Sequence, residues 1–176
     1  MSSAWWLGQS SHNSTNHPFI PNYGTSLMPD VVLGYYLHRP DLSISALYRG
    51  YSREIFTYGI QQNLQRRSAG IEFTKGLFDY HGFVPFVGPV ITLEQLSFKE
   101  ENNRQGRRIN TSDTRLGYGL TFGWDIRPNR LQWFILRTNL RYFPNLELDV
   151  QDNAGIRFSN IEFNFIQLLI FPNRLF

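Results

Sequence analysis

The chain comes nearest to a hydrolytic constellation at Arg157-Phe158-Ser159-Asn160, with Glu162 following. A serine hydroxyl attacks well only when an adjacent base takes its proton. Arginine stands where that base should be, and a guanidinium stays protonated, so Ser159 has no local acceptor. His12-Asn13-Ser14 has the right spacing but falls at a strand-to-loop junction. His12 and His17 share a loop and could meet a metal, yet no carboxylate stands close to complete a ligand set, and a solvated pair is the simpler reading. His38 and His81 lie far away in sequence. Gly117, Gly119 and Gly123 sit inside a strand pattern, where no helix follows to cradle phosphate. With no cysteine, disulfides and thiolate sites are excluded. The expectation is therefore no catalytic residue, no metal and no cofactor.

The charges that remain are spaced by strands. From Arg115 to Ile126, Leu116, Tyr118, Leu120, Phe122, Trp124 and Ile126 share one face, and Arg115, Gly117, Gly119, Thr121, Gly123 and Asp125 share the other. Such unbroken period-two alternation marks a strand, and a longer one than is usual in soluble domains. After Arg127-Pro128-Asn129-Arg130, a turn composition, Phe134, Leu136, Leu140 and Tyr142 alternate with Ile135, Arg137, Asn139 and Arg141. The same rhythm runs through 31–38, 42–49, 69–74 and 160–165. It continues through 83–98, where Pro85 and Pro89 suggest a bulge. A further strand is expected over 3–9.

Connections alternate in length. Short turns fall near residues 40, 80 and 129, and long polar stretches at about 11–29, 51–66, 99–113 and 144–155. An up-and-down antiparallel barrel of about eight strands, with short turns on one rim and long loops on the other, produces that order. One domain, residues 1–176, accounts for the whole chain.

Alternation alone does not say which face points inward, but residue size does. Glycines 34, 70, 117, 119 and 123 interleave with the charges, and small residues make room for long ones inside a narrow barrel. The expected interior set is Arg49, Glu72, Glu94, Arg115, Asp125, Arg137, Arg141 and Glu162, with Asn139, Asn164 and Thr74. The expected lipid-facing set is Leu116, Tyr118, Leu120, Phe122, Trp124, Phe134, Leu136, Leu140 and Tyr142. Trp124, Tyr118 and Tyr142 lie near the band's two ends, as interfacial aromatics do. Trp133 falls on the inward parity, against this scheme. Four basic and four acidic interior groups balance, which favours a plugged, ion-paired barrel over a pore.

Composition agrees. Aromatic residues make up 16% of the chain and mean hydropathy is −0.32, with no apolar run long enough for a transmembrane helix. The net charge of +3 is scattered without a basic stripe, which argues against nucleic acid. The start Met-Ser-Ser-Ala-Trp-Trp lacks the features of a secretory leader. The membrane reading therefore expects a mature chain, whereas a natural start at Met1 would favour a soluble barrel.

The final stretch from Ile161 carries Phe163 and Phe165 and ends at Phe176, with Pro172-Asn173 interrupting it. An amphipathic last strand with a terminal aromatic resembles the assembly signal of outer-membrane barrels. With the strand count and loop order, the chain resembles the small eight-stranded families of the OmpX/Ail type, the OmpW type and the barrel-only proteins of Bacteroidota. That resemblance implies location in the bacterial outer membrane. It also implies contact with outer-membrane lipid and lipopolysaccharide, insertion by the barrel-assembly machinery, and a role exerted through the outer loops toward a protein partner or a membrane complex. Deacylase-type barrels carry His-x-Ser-Asn and a carboxylate; Arg157 departs from that pattern, so lipid A modification is the alternative. A soluble ligand-binding barrel is another. A conduit for apolar solutes would need a lumen without these charges.

Overall fold

Period-two patterning becomes backbone pairing almost wherever it occurs. The computed structural model describes residues 2–4, 8–10, 13–14, 30–37, 40–57, 59–103, 106–128, 133–150, 154–157 and 161–170. Its elements are all strands: β1 (Ser2–Ala4), β2 (Gly8–Ser10), β3 (Asn13–Ser14), β4 (Asp30–Leu37), β5 (Leu42–Thr57), β6 (Ile60–Gly76), β7 (Phe83–Asn102), β8 (Arg107–Ile126), β9 (Phe134–Tyr142), β10 (Glu147–Val150), β11 (Ala154–Arg157) and β12 (Ile161–Ile170). The main sheet is antiparallel in the order β1-β4-β5-β6-β7-β8-β9-β12-β2. Because β1 and β2 are two parts of one N-terminal segment, the architecture is an eight-stranded up-and-down one.

The ladder itself is open among the described residues, since β1 sits at one end and β2 at the other. Yet β1 pairs with β4 while also lying against β12, and β2 pairs with β12. The N-terminal segment thus brings the two edges of the sheet together.

Two of the stretches expected to be loops are strands. β5 pairs with β6 from Leu42↔Lys75 to Thr57↔Ile60, and the reversal between them is two residues long, with Gly59 at φ 80°. β7 and β8 pair over their full 20 residues, from Phe83↔Ile126 to Asn102↔Arg107. β4 accompanies β5 only as far as Arg49, and β9 accompanies β8 only below Leu120. The far halves of β5, β6, β7 and β8 therefore stand beyond the barrel as a four-stranded sheet. Their alternation is hidden because both faces carry polar groups, as in Gln61, Gln62, Asn63 and Gln65. The stretch at 144–155 is also structured, with β10, β11 and β3 forming a separate three-stranded sheet.

Two other expectations change. Pro85 and Pro89 cause no bulge, since Glu72↔Val90 and Lys75↔Val87 keep one register. The bulge is in β12, where the register against β9 slips between Asn164 and Gln167. Parity inverts there, so Gln167 and Leu169 are buried while Ile166 is exposed. Trp133 lies just before β9, half-buried, with its ring 5.0 Å from that of Phe134.

Candidate functional site

Inward-facing side chains of seven strands meet in a network of ion pairs. Toward the sheet extension, Arg49 (β5), Arg66 (β6), Glu94 (β7) and Glu162 (β12) form a tetrad. Arg66 grips Glu94 with two hydrogen bonds of 2.8 and 3.0 Å, and lies 2.6 Å from Glu162. Arg49 pairs with Glu162 and lies 3.3 Å from Glu94. Ser68 and Thr92 hydroxyls donate to Glu94 at 2.7 and 2.6 Å. Gly117 makes this possible, because a Cβ there would collide with Thr92 Oγ1 and Glu94 Cγ.

A second chain of charges leads to the short-turn rim. Arg141 donates to Glu72 at 2.6 Å and to Asp30 at 2.9 Å. Arg137 clasps Asp125 at 2.7 and 3.0 Å and lies 3.9 Å from Glu72. Arg127 closes the rim, 3.3 Å from Asp125 and 3.1 Å from Asp41. Tyr36 also donates to Asp41. Burial works against the charge on Asp41, but the bonds from Tyr36 and Arg127 outweigh it and hold that carboxyl below its ordinary value.

Most of these pairs, among them Arg49–Glu162, Arg66–Glu162, Arg141–Glu72 and Arg141–Asp30, join strands that are not neighbours in the ladder. They can meet only because the sheet curls around them. Removing such ions from water costs several kcal/mol each, recovered only when pairing is thorough. Four buried arginines (Arg49, Arg66, Arg137 and Arg141) face the buried carboxylates of Asp30, Glu72, Glu94, Asp125 and Glu162, and half-buried Arg127 adds a fifth cation.

Of the expected interior set, Arg49, Glu72, Glu94, Asp125, Arg137, Arg141 and Glu162 come together in this network. Asn139 and Thr74 are also buried, and the side chain of Asn164 lies outside the described residues. Arg115 departs from the set. Its side chain is 29% exposed and pairs with Asp113 on its own strand, because β8 at that height has already run past its pairing with β9.

Sequence reasoning missed Arg66, Asp30, Arg127 and Asp41. Arg66 sat in an assumed loop, and Asp30 lay one residue before the assumed strand; extending the alternation outward from Ser68 and Val32 would have placed both inside.

An apolar layer lies over the tetrad. Leu64, Leu96, Phe98 and Ile109 of the strands pack with Phe143, Leu146 and Leu148 from the β9–β12 connection, all of them buried. The Phe143 ring stacks 4.9 Å from the Arg49 guanidinium and 5.8 Å from that of Arg66.

The outward face is apolar. Leu116, Tyr118, Leu120, Phe122, Trp124 and Tyr142 are between 40% and 59% exposed. Phe134, Leu136, Leu140 and Phe163 share the outward parity and are half-exposed. Phe176 and the side chain of Phe165 lie outside the described residues, as do His12, His17, His38, Ser159 and Asn160.

No family model and no curated protein matches the sequence, but solved structures share its fold. Ail, the attachment invasion locus protein of Yersinia pestis, in complex with the heparin analogue sucrose octasulfate, superposes with a TM-score of 0.62 at 12% identity, covering 96% of this chain and 95% of Ail. Neisserial surface protein A superposes with a TM-score of 0.58 at 14% identity, covering 93% and 90%. The fold is that of small eight-stranded outer-membrane β-barrels.

Proposed function

We propose that this protein is an integral barrel of the bacterial outer membrane, closed to solutes by its own side chains, that acts as an interaction protein through the sheet formed by the far halves of β5, β6, β7 and β8. One observation carries the reading: a ring of exposed large apolar side chains encloses a core of ionised ones, the reverse of a soluble barrel. Lipid, including the acyl chains of lipopolysaccharide, is the solvent such a ring fits, and the barrel-assembly machinery is the partner that its insertion requires. The ion-paired interior, overlaid by apolar side chains, supports a plugged barrel. A large, steady single-channel conductance in planar bilayers would overturn that part.

Charge supports the choice of surface. Leaving out Arg66, whose charge is neutralised inside the barrel, residues 50–68 and 95–115 contain seven basic and four acidic side chains, an excess of three, equal to the net charge of the entire chain. Arg67 and Lys99 point outward from this sheet, and Arg67 and Arg108 are exposed. A positive sheet held clear of the membrane fits a polyanionic surface partner, and Ail has been seen with a sulfated heparin analogue.

The test is binding of the detergent-folded protein to immobilised heparin. Wild type is expected to bind at low ionic strength and to be released by salt, since exposed charges are screened beyond about 8 Å at 0.15 M. Arg67→Glu with Lys99→Glu is expected to weaken binding about tenfold or more without altering gel mobility of the unboiled protein, reversing two cations among a handful. No retention of wild type at low salt would remove polyanions from the proposal.

A further inference from the structure

The wall of the barrel is interrupted on one side of β8. Below Leu120 its edge is laddered to β9. Above it, among the described residues, no strand pairs with that edge. Leu116 and Tyr118 nevertheless lie on the exposed apolar face, at 59% and 54% exposure, where unpaired backbone is costly. At this point β9 has ended, and Pro144 has no N–H with which to continue it. The chain turns inward and sends Phe143, Leu146 and Leu148 into the apolar layer above the tetrad.

One side chain bridges the interruption. Asn145 donates from Nδ2 to the Leu116 carbonyl at 2.8 Å and accepts from the Tyr118 amide at 3.3 Å through Oδ1. A carboxamide offers one acceptor and donors in the same plane, so Asn145 performs the pairing that one residue of a neighbouring strand would.

We propose that residues 143–150, which follow β9, form a hinged cap over the barrel mouth, pivoting at Pro144 and latched to the β8 edge by Asn145. Its β10 pairs with β11, and β11 pairs with β3 of the N-terminal segment, so the cap is anchored at its far end and swings from its near one. With the latch closed, Leu146 and Leu148 seal the mouth and Phe143 covers the guanidiniums of Arg49 and Arg66. When it opens, the tetrad meets the outer solution. Asn145 is a positioning residue, since it acts on the interior only through the cap.

The chain contains no cysteine, so Leu148→Cys provides a single reporter in the cap. The experiment measures its labelling by a membrane-impermeant maleimide in folded protein in lipid vesicles, together with hydrogen exchange at the Tyr118 and Leu120 amides. Adding Asn145→Ala is expected to raise both labelling and Tyr118 exchange about tenfold, as loss of a hydrogen-bonded latch does, and to leave the Leu120 amide unchanged. Unchanged labelling and exchange would overturn the latch. So would an equal rise at Tyr118 and Leu120, which means that Asn145 supports the fold as a whole. If Leu148→Cys alone does not fold, exchange at the two amides decides the matter in the cysteine-free protein.

Discussion

Glu94→Ala is expected to lower the free energy of unfolding by about 3–5 kcal/mol, the cost of stripping one partner from a buried ion pair. Glu94 is fully buried and receives both arms of Arg66, one of Arg49 and two hydroxyls. Without it, Glu162 alone serves two buried guanidiniums. The measurement is the urea midpoint of the folded, heat-modifiable band in lipid vesicles. Arg108→Ala is the control, because its partner Glu101 is 3.6 Å away and the Arg108 side chain is 79% exposed; such pairs contribute about 0–1 kcal/mol. Arg66→Met with Glu94→Met is expected to recover much of the loss, since an apolar pair of similar volume can replace a buried ion pair and would extend the layer of Leu64 and Leu96. A Glu94→Ala loss no larger than the control's would mean that water, not protein, solvates the interior.

Leu120→Arg tests the opposite face. Leu120 is 54% exposed near the middle of the apolar band of β8. At mid-bilayer, an outward arginine on a barrel costs about 2–4 kcal/mol, whereas an exposed surface substitution in water costs within about 0.5 kcal/mol. The variant is therefore expected to unfold at clearly lower urea in vesicles. Equal midpoints for variant and wild type would mean that water covers this face, and would return the soluble ligand-binding barrel to the front.

What the sequence revealed depended on where the two faces of a strand differ. Along Leu116 to Ile126 one face is exposed and apolar and the other lines the charged interior, so the alternation is visible in the sequence. Farther along the same hairpins that contrast disappears. Gln61 to Gln65 read as loop although their backbone ladder continues, because hydrogen bonding leaves no trace in side-chain polarity when both faces carry polar groups. Arg66 was lost with that stretch. The slip at Asn164–Gln167 was hidden for a different reason: a bulge inverts parity without altering composition, so Phe163 follows the alternation while Leu169 contradicts it. The apolar layer of Phe143, Leu146 and Leu148 depends on a chain reversal after Tyr142 that Pro144 hints at, but whose inward direction only packing decides.

The two-residue reversal at Gly59 also bears on resistance to proteolysis. Proteolytic nicking concentrates at exposed loop tips, and arginines are common cleavage points. Here Arg53, Arg66 and Arg67 lie on strands in continuous register, Arg53↔Leu64 and Arg67↔Gln95 among the pairs. A protease specific for basic residues would have to unzip a hairpin before reaching them, so the extension resists cleavage in spite of its arginines.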